Sequence, residues 1–125
     1  MSEDTLVVVT PHDEMLLVAP QFVRMRDQEA GALQLRVTAA AETTPGLPVV
    51  IDMSNVEYVP SRGIGALVVI LQNLKKENRR LILAALQSPV RETLTVCRLD
   101  KFFEIFDTVD DALVRIREPE AGAPE

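Results

Sequence analysis

The sequence predicts an α/β domain whose sheet is mixed but mostly parallel. The 125 residues, 47% hydrophobic and 26% charged, have the size and composition of one ordinary globular domain. Residues 48–53 are apolar except for one Asp, as expected for a strand buried on both faces of a parallel sheet. Around this run, short apolar segments alternate with segments of helical periodicity. We therefore expect a four- to five-stranded sheet with about four helices packed around it.

The first third of the chain predicts a hairpin and then a helix. Leu6–Val9 and Met15–Ala19 are apolar runs separated by the turn residues 10–13, so they are expected to pair as antiparallel strands. Residues 23–41 are almost free of Gly and Pro, and their apolar positions recur near helical spacing. A helix is predicted there, ending at the Thr-Thr-Pro-Gly stretch 43–46.

The clearest helical pattern follows the buried strand. From Ile64 onward, apolar residues recur at i, i+3, i+4 and i+7, and Lys75 and Lys76 place cations near the C-terminal end. Residues 56–59 either continue the preceding strand or begin another. Downstream we expect a strand over 80–86, a helix from Ser88, a short strand over 102–106 and a helix over 109–116.

Composition also indicates where the domain ends and which classes of partner are excluded. Residues 1–117 form the predicted domain, and 118–125, with two Pro, one Gly and three Glu, form a predicted flexible C-terminal tail. The net charge of -6 and the scarcity of aromatic residues argue against binding to nucleic acid or to an anionic membrane. One Cys and one His predict neither a disulfide nor a metal site, and no cofactor is expected.

No targeting or membrane-spanning segment is predicted. The N-terminal residues are acidic where a secretory signal would be basic, and no apolar core of signal-peptide length follows them. The longest apolar stretches, 64–71 and 81–86, fall well short of the ~20 residues needed to cross a bilayer. We therefore expect a cytoplasmic protein without direct membrane insertion.

The segment 49–67 is predicted to form a strand, a tight link and a helix, with Ser61 at the junction. Three enzyme motifs that could place a functional residue in this segment do not fit it. A nucleophile elbow needs Gly where Val59 stands and a His after the serine, whereas the single His precedes it. A dinucleotide fingerprint needs a third Gly where Val68 stands. Asp52 ends a strand like the phospho-acceptor of receiver domains, but their acidic pair after the first strand is absent.

The same segment carries a family resemblance. Asp52-Met53-Ser54-Asn55-Val56 matches the pattern Asp-Leu-Ser-x-Val, and residues 61–67, Ser-Arg-Gly-Ile-Gly-Ala-Leu, match Ser-x-Gly-hydrophobic before an apolar helix. Residues 80–83, 88–94 and 99–113 fit the later elements in the same order. The stretch from about 48 to 116 therefore resembles the STAS family (sulfate transporter and anti-sigma factor antagonist domains), especially the stand-alone bacterial anti-sigma factor antagonists.

This resemblance implies a regulatory switch rather than an enzyme. An unphosphorylated antagonist binds an anti-sigma factor that is also a Ser kinase of the histidine-kinase-like ATPase fold, which frees the sigma factor and so regulates transcription indirectly. The kinase then uses Mg-ATP to phosphorylate the serine at the helix start, here Ser61, and a Ser phosphatase resets the switch. The implied partner-binding residues are Gln21, Phe22, Pro60, Ser61, Arg62, Gly63, Gly65 and Ala66.

Two departures from the family pattern keep alternatives open. Pro60 stands where the family has an Asp before the acceptor serine, and residues 20–23 replace a Gly-x-hydrophobic-Asp segment that also belongs to the partner surface. The first alternative is a non-phosphorylated STAS subunit of a transporter or larger signalling complex. The second is a domain that binds a small ligand, which ranks last because no glycine-rich phosphate loop is present.

Structural roles are also expected for several of these residues. Ser61 and Ser88 are predicted N-caps of their helices. Gly63 and Gly65, without side chains, are expected to keep the surface beside Ser61 open. Cys97 is expected on the inner face of its helix as a small hydrophobic residue.

Overall fold

The computed structural model describes residues 3–118 and contains one five-stranded sheet with the strand order β1-β2-β3-β4-β5. The strands are β1 (Val7–Pro11), β2 (Leu16–Pro20), β3 (Val49–Asp52), β4 (Leu81–Ala84) and β5 (Glu104–Phe106). The helices are a single turn α1 (Glu3–Leu6) and four longer helices, α2 (Asp27–Glu42), α3 (Ser61–Lys76), α4 (Ser88–Val96) and α5 (Val109–Arg117). Apart from Glu118, the predicted C-terminal tail lies outside the described residues.

Strand pairing confirms the predicted α/β class. The hairpin β1–β2 is antiparallel, with Val9 opposite Val18. Strands β2, β3, β4 and β5 are parallel to one another, and Ile51 of β3 lies opposite Leu83 of β4. The sheet is therefore mixed only at its β1 edge.

The two faces of the sheet are buried by different helices. Val49 and Ile51 belong to the main core cluster, which also contains buried residues of α2, α3 and α4. Val50 points to the other face, where it clusters with Ile82 and with Ala112 of α5. Successive strand residues face opposite sides of a sheet, so β3 and β4 must be apolar at every covered position.

Helix α2 begins later than predicted, at Asp27 rather than at Val23. Residues before it are extended, because Arg24 forms an isolated parallel bridge with Tyr58 and the Met25 N–H donates to the Tyr58 carbonyl at 2.9 Å. Backbone groups that are bonded to another loop are not available for the first helical turn. The same bridge is the only sheet pairing that residues 56–59 make within 3–118.

The prediction that Ser61 and Ser88 are N-caps is wrong by one residue. Pro60 occupies the cap position of α3, because its carbonyl accepts the first helical hydrogen bond, from Ile64 N–H at 3.0 Å. Gln87 caps α4 in the same way through its carbonyl. Each serine is therefore the first helical residue, and a side chain at that position does not accept from its own helix turn as a cap does.

The predicted burial of Cys97 is also wrong. Val90 and Leu94 form the inner face of α4 and are fully buried, whereas Cys97 follows the end of the helix and is exposed. Because α4 ends at Val96, the helical spacing that predicts an inward position no longer applies there.

Arg79 is a buried cation that connects the C-terminal ends of α2 and α3. Its side chain is 1% exposed, and its guanidinium donates to the carbonyl oxygens of Ala41 (2.9 Å), Thr44 (2.8 Å) and Leu47 (2.9 Å). Glu77 supplies a carboxylate at 3.2 Å. The five donors of arginine suit this cluster of carbonyl acceptors, so the residue fixes the loop after α2 against the end of α3.

We predict that Arg79→Ala lowers the free energy of unfolding by about 3 kcal/mol, because it leaves several buried carbonyl groups without a donor. Urea unfolding measures the change. The matched control is Arg91→Ala, which removes only an exposed ion pair with Asp107 and should cost less than about 1 kcal/mol. Equal losses in the two variants would contradict the structural role of Arg79.

A second prediction concerns the ion pair between Glu14 and Arg117, which ties the end of α5 to the hairpin turn. Arg117 Nε donates to the Glu14 carboxylate at 2.9 and 3.0 Å, and this hydrogen bond lowers the pKa of Glu14. A lowered folded-state pKa adds stability above the unfolded-state pKa, which is lost as the pH falls through the folded value. Urea unfolding should therefore find Glu14→Gln less stable than wild type at neutral pH and equal to it in strong acid.

Candidate functional site

The candidate site lies where two loops meet at the carboxyl ends of β2 and β3. Because these strands are parallel, the loop 21–26 before α2 and the loop 53–60 before α3 emerge at the same edge of the sheet. The parallel bridge between Arg24 and Tyr58 joins them. The N-terminal ends of α2 and α3 therefore stand side by side.

The motif residues after β3 build the turn that leads to α3. One carboxylate oxygen of Asp52 accepts from the Ser54 N–H at 3.0 Å, and the Gln87 side chain donates to the Ser54 carbonyl at 2.7 Å. The Asn55 side chain donates to the Pro20 carbonyl at 3.3 Å, which links this turn to the end of β2. Asp52 and Ser54 thus have local structural partners.

Ser61 is exposed in a shallow surface groove between α2 and α3. This groove, hereafter the Ser61 groove, is lined by Arg26, Asp27, Gln28, Glu29, Pro60, Ser61 and Arg62. Within residues 3–118, the Ser61 hydroxyl makes no hydrogen bond to another protein atom. Across the groove, Arg62 Nε lies 4.0 Å from an Asp27 carboxylate oxygen, and both side chains are largely exposed. The hydroxyl is therefore open to an incoming group.

A histidine or a metal ion is the usual activator of a catalytic serine hydroxyl. His12 lies in the β1–β2 turn, at the opposite end of the parallel strands, where its Nδ1 accepts from Glu14 N–H at 3.2 Å. In the part of the chain that the structure describes, no group of three His, Cys, Asp or Glu residues could hold a metal ion. The ionisable side chains that share the groove with Ser61 are Arg26, Asp27, Glu29 and Arg62.

The structure places the eight predicted partner-binding residues at different depths. Those with exposed positions are Gln21, Ser61, Arg62 and Gly65, and Pro60 is half-buried. The prediction needs correction for Phe22, Gly63 and Ala66, which are buried. Phe22, in the loop before α2, and Ala66, on the inner face of α3, belong to the main core cluster, at 7% and 3% exposure. A partner docking on this surface cannot reach them.

Gly63 has a different role from the predicted one. A Cβ built at this position would lie 2.7 Å from Val59 Cγ1 and 2.9 Å from the Met25 carbonyl oxygen. The missing side chain therefore lets the first turn of α3 pack directly against the backbone of the other loop. At Gly65 a Cβ would meet nothing within 4 Å, which fits the predicted open surface.

A second groove beside the first contains residues that the sequence reasoning missed. It is lined by Val23, Arg24, Arg26, Glu57 and Tyr58 and is hereafter the Tyr58 groove. Val23 and Tyr58 are large apolar side chains that remain 48% and 52% exposed. The only signal in the sequence is that Tyr58 is the single tyrosine, since the bridge that aligns these residues joins two separate loops.

Comparison with known proteins gives consistent matches. Residues 25–112 match the family model of the STAS domain. The chain is similar to an anti-sigma factor antagonist from Mycobacterium paratuberculosis, with 29% identity, a TM-score of 0.78 and coverage of 90% of this chain and 93% of that one.

Two further solved structures share the fold. A putative anti-sigma factor antagonist from Thermotoga maritima has a TM-score of 0.81 at 19% identity, covering 93% of this chain and 98% of that chain. The anti-sigma factor antagonist SpoIIAA in its unphosphorylated form has a TM-score of 0.74 at 15% identity, covering 89% and 96%. Across 3–118, no helix has the length and apolar character needed to span a membrane.

The two glycines of the first turn of α3 give a matched pair of substitutions. Gly63→Ala should lower the free energy of unfolding by about 1–3 kcal/mol, because the new methyl group overlaps a backbone oxygen that cannot move away cheaply. Gly65→Ala should raise it by about 0.5–1 kcal/mol, because alanine favours the helix and meets open space. Thermal or urea unfolding checks both, and a Gly63→Ala protein as stable as wild type would contradict the close packing.

Proposed function

Because this chain belongs to the STAS domain family, we propose that it is an anti-sigma factor antagonist switched off by phosphorylation of Ser61. It binds an anti-sigma factor that is also a Ser kinase of the histidine-kinase-like ATPase fold, and so regulates transcription indirectly, in the cytoplasm. The observation that carries the proposal is the exposed, unbonded Ser61 hydroxyl at the first residue of α3. The 29% identical protein that bears the name anti-sigma factor antagonist supports this class of partner.

Phosphorylation at this position would change the surface strongly. A phosphate adds about -1.5 to -2 charge and three acceptor oxygens. The start of α3 stabilises that charge within the antagonist, because the N-terminal end of a helix carries a partial positive charge. A partner packed over the Ser61 groove would have to desolvate the same phosphate, which opposes binding. The modification therefore releases the partner.

The antagonist itself supplies no catalysis in this scheme. The kinase holds Mg-ATP and transfers the γ-phosphoryl group to the Ser61 oxygen, whose proton passes to a base of the kinase. A separate Ser phosphatase hydrolyses the phosphoserine and resets the antagonist.

Pro60 changes how the acceptor serine is held. Proline has no carboxylate to orient the hydroxyl, but its φ of -75° and its extended ψ of -179° lead directly into the first turn of α3. Because Gly63 has no side chain, that turn packs directly against the Met25 backbone. In this protein the position of Ser61 is thus set by backbone packing.

The direct test is incubation with the cognate kinase and Mg-ATP, followed by mass spectrometry of the peptides. We expect one added phosphoryl group on Ser61, none in Ser61→Ala, and an unchanged yield in the control Ser54→Ala. A kinase that binds the protein but adds no phosphate at Ser61 would refute the switch.

Binding measurements with the same partner complete the test. Ser61→Ala should keep its affinity, and Ser61→Asp should bind at least about tenfold more weakly, because a carboxylate is buried against the partner.

One observation favours the alternative function, a non-phosphorylated STAS subunit of a transporter or larger signalling complex. Pro60 replaces the Asp that precedes the acceptor serine in the phosphorylated antagonists. This alternative predicts equal affinity of Ser61→Ala and Ser61→Asp for the partner, so the same binding experiment separates the two functions.

A further inference from the structure

Arg26 has a fixed backbone and an uncommitted side chain. It is the last residue before α2, where its N–H donates to a Glu29 carboxylate oxygen at 3.1 Å and its carbonyl accepts from Ala30 N–H at 2.8 Å. Its side chain is exposed, and within 3–118 its guanidinium has no carboxylate at ion-pair distance. The guanidinium is therefore free to change position while its attachment point stays in place.

The position of Arg26 is unusual because it borders both surface grooves. It is the residue common to the lining of the Ser61 groove and the lining of the Tyr58 groove. Arg24 lines only the Tyr58 groove, and Arg62 lines only the Ser61 groove. Because Arg26 lies between the two grooves, its long side chain can lie in either groove without any movement of the backbone.

We propose that Arg26 is the intramolecular ligand of a phosphate on Ser61, and that phosphorylation thereby holds its guanidinium in the Ser61 groove. This inference rests on the proposed function and adds to it the residue that responds to the modification. Guanidinium and phosphate form short, often bidentate, charge-assisted hydrogen bonds. The phosphate on Ser61 would share a groove with this unpaired cation, so the pairing needs only a rotation of side-chain torsions.

Arg62 is the competing candidate, and the structure makes it the weaker one. Its Nε lies 4.0 Å from an Asp27 carboxylate oxygen, a loose pair whose two side chains are largely exposed. It also follows Ser61 directly in α3, and consecutive side chains of a helix point in different directions. Arg26 approaches from the neighbouring helix, across the groove.

One modification would then alter two parts of the surface. The Ser61 groove gains a negative charge, and the Arg26 guanidinium is no longer available to the Tyr58 groove, with its exposed Val23 and Tyr58. A partner that touches both grooves meets a changed charge pattern as well as a new phosphate. We therefore expect Arg26→Ala to weaken the effect of phosphorylation on partner affinity.

The decisive experiment needs no kinase. Phosphoserine is incorporated at position 61 during translation, and the second pKa of the phosphate is followed by ³¹P NMR titration. Removing a cation that binds the dianion should raise that pKa by about 0.5 in Arg26→Ala. Arg24→Ala is the matched control, one groove away, and should leave the pKa unchanged. Arg26→Lys, which keeps the charge without the planar fork, should restore part of the shift.

Other outcomes would overturn the inference. An equal rise in Arg24→Ala and Arg26→Ala would indicate only the general field of nearby cations, and a rise in Arg62→Ala alone would assign the phosphate to α3 itself. Unmodified Arg26→Ala should unfold at the wild-type temperature, because the replaced side chain has no ion pair. Failure of the kinase to modify Ser61 would refute the proposed function but leave this titration intact, so the two failures are distinguishable.

Discussion

Burial of β3 on both faces determines where the rest of the molecule is placed. Val49 and Ile51 pack under α2 and α3 on one face, and Val50 packs with α5 on the other. Strand β3 pairs in parallel with β2 and β4, and parallel strands are joined by connections that cross over the sheet and cover its faces. Each crossover brings a helix back from the carboxyl ends of the strands. The starts of α2 and α3, and with them Ser61, are therefore brought to one edge.

Two contacts of different chemistry then hold α2 and α3 together at their opposite ends. At the far end, the buried guanidinium of Arg79 supplies donors to the loop after α2. At the site end, the absent side chain of Gly63 allows direct contact with the Met25 backbone. These contacts fix the backbone of α2 and α3 at both ends, which would lower the ordering cost of any binding at this surface.

The electrostatics that matter here are local. The net charge of -6 describes the whole chain, and one phosphate would move it only to about -8. Around Ser61 individual charged side chains matter more than the total: Asp27 faces Arg62, whereas Arg26 has no carboxylate partner within the described residues. A negative charge added at this point would meet Arg26, which has no carboxylate partner, and Arg62, whose pair with Asp27 is loose and exposed. The response of the surface therefore depends on single side chains.

The sequence by itself determined the α/β class, the order of the elements from the hairpin onward, the antiparallel pairing of that hairpin and the serine at the start of α3; it did not predict the single turn α1. These follow from patterns within short stretches, such as the apolar run 48–53 and the helical spacing from Ile64. Helical spacing misplaced the start of α2, because residues before Asp27 bond to the loop that contains Tyr58. The family resemblance placed Phe22 on the partner surface, whereas the side chain packs in the core. The burial of Gly63 likewise depends on the carbonyl of Met25, far away in sequence. Spacing along one segment records which face is apolar, whereas contacts between two loops exist only once the sheet has brought them together.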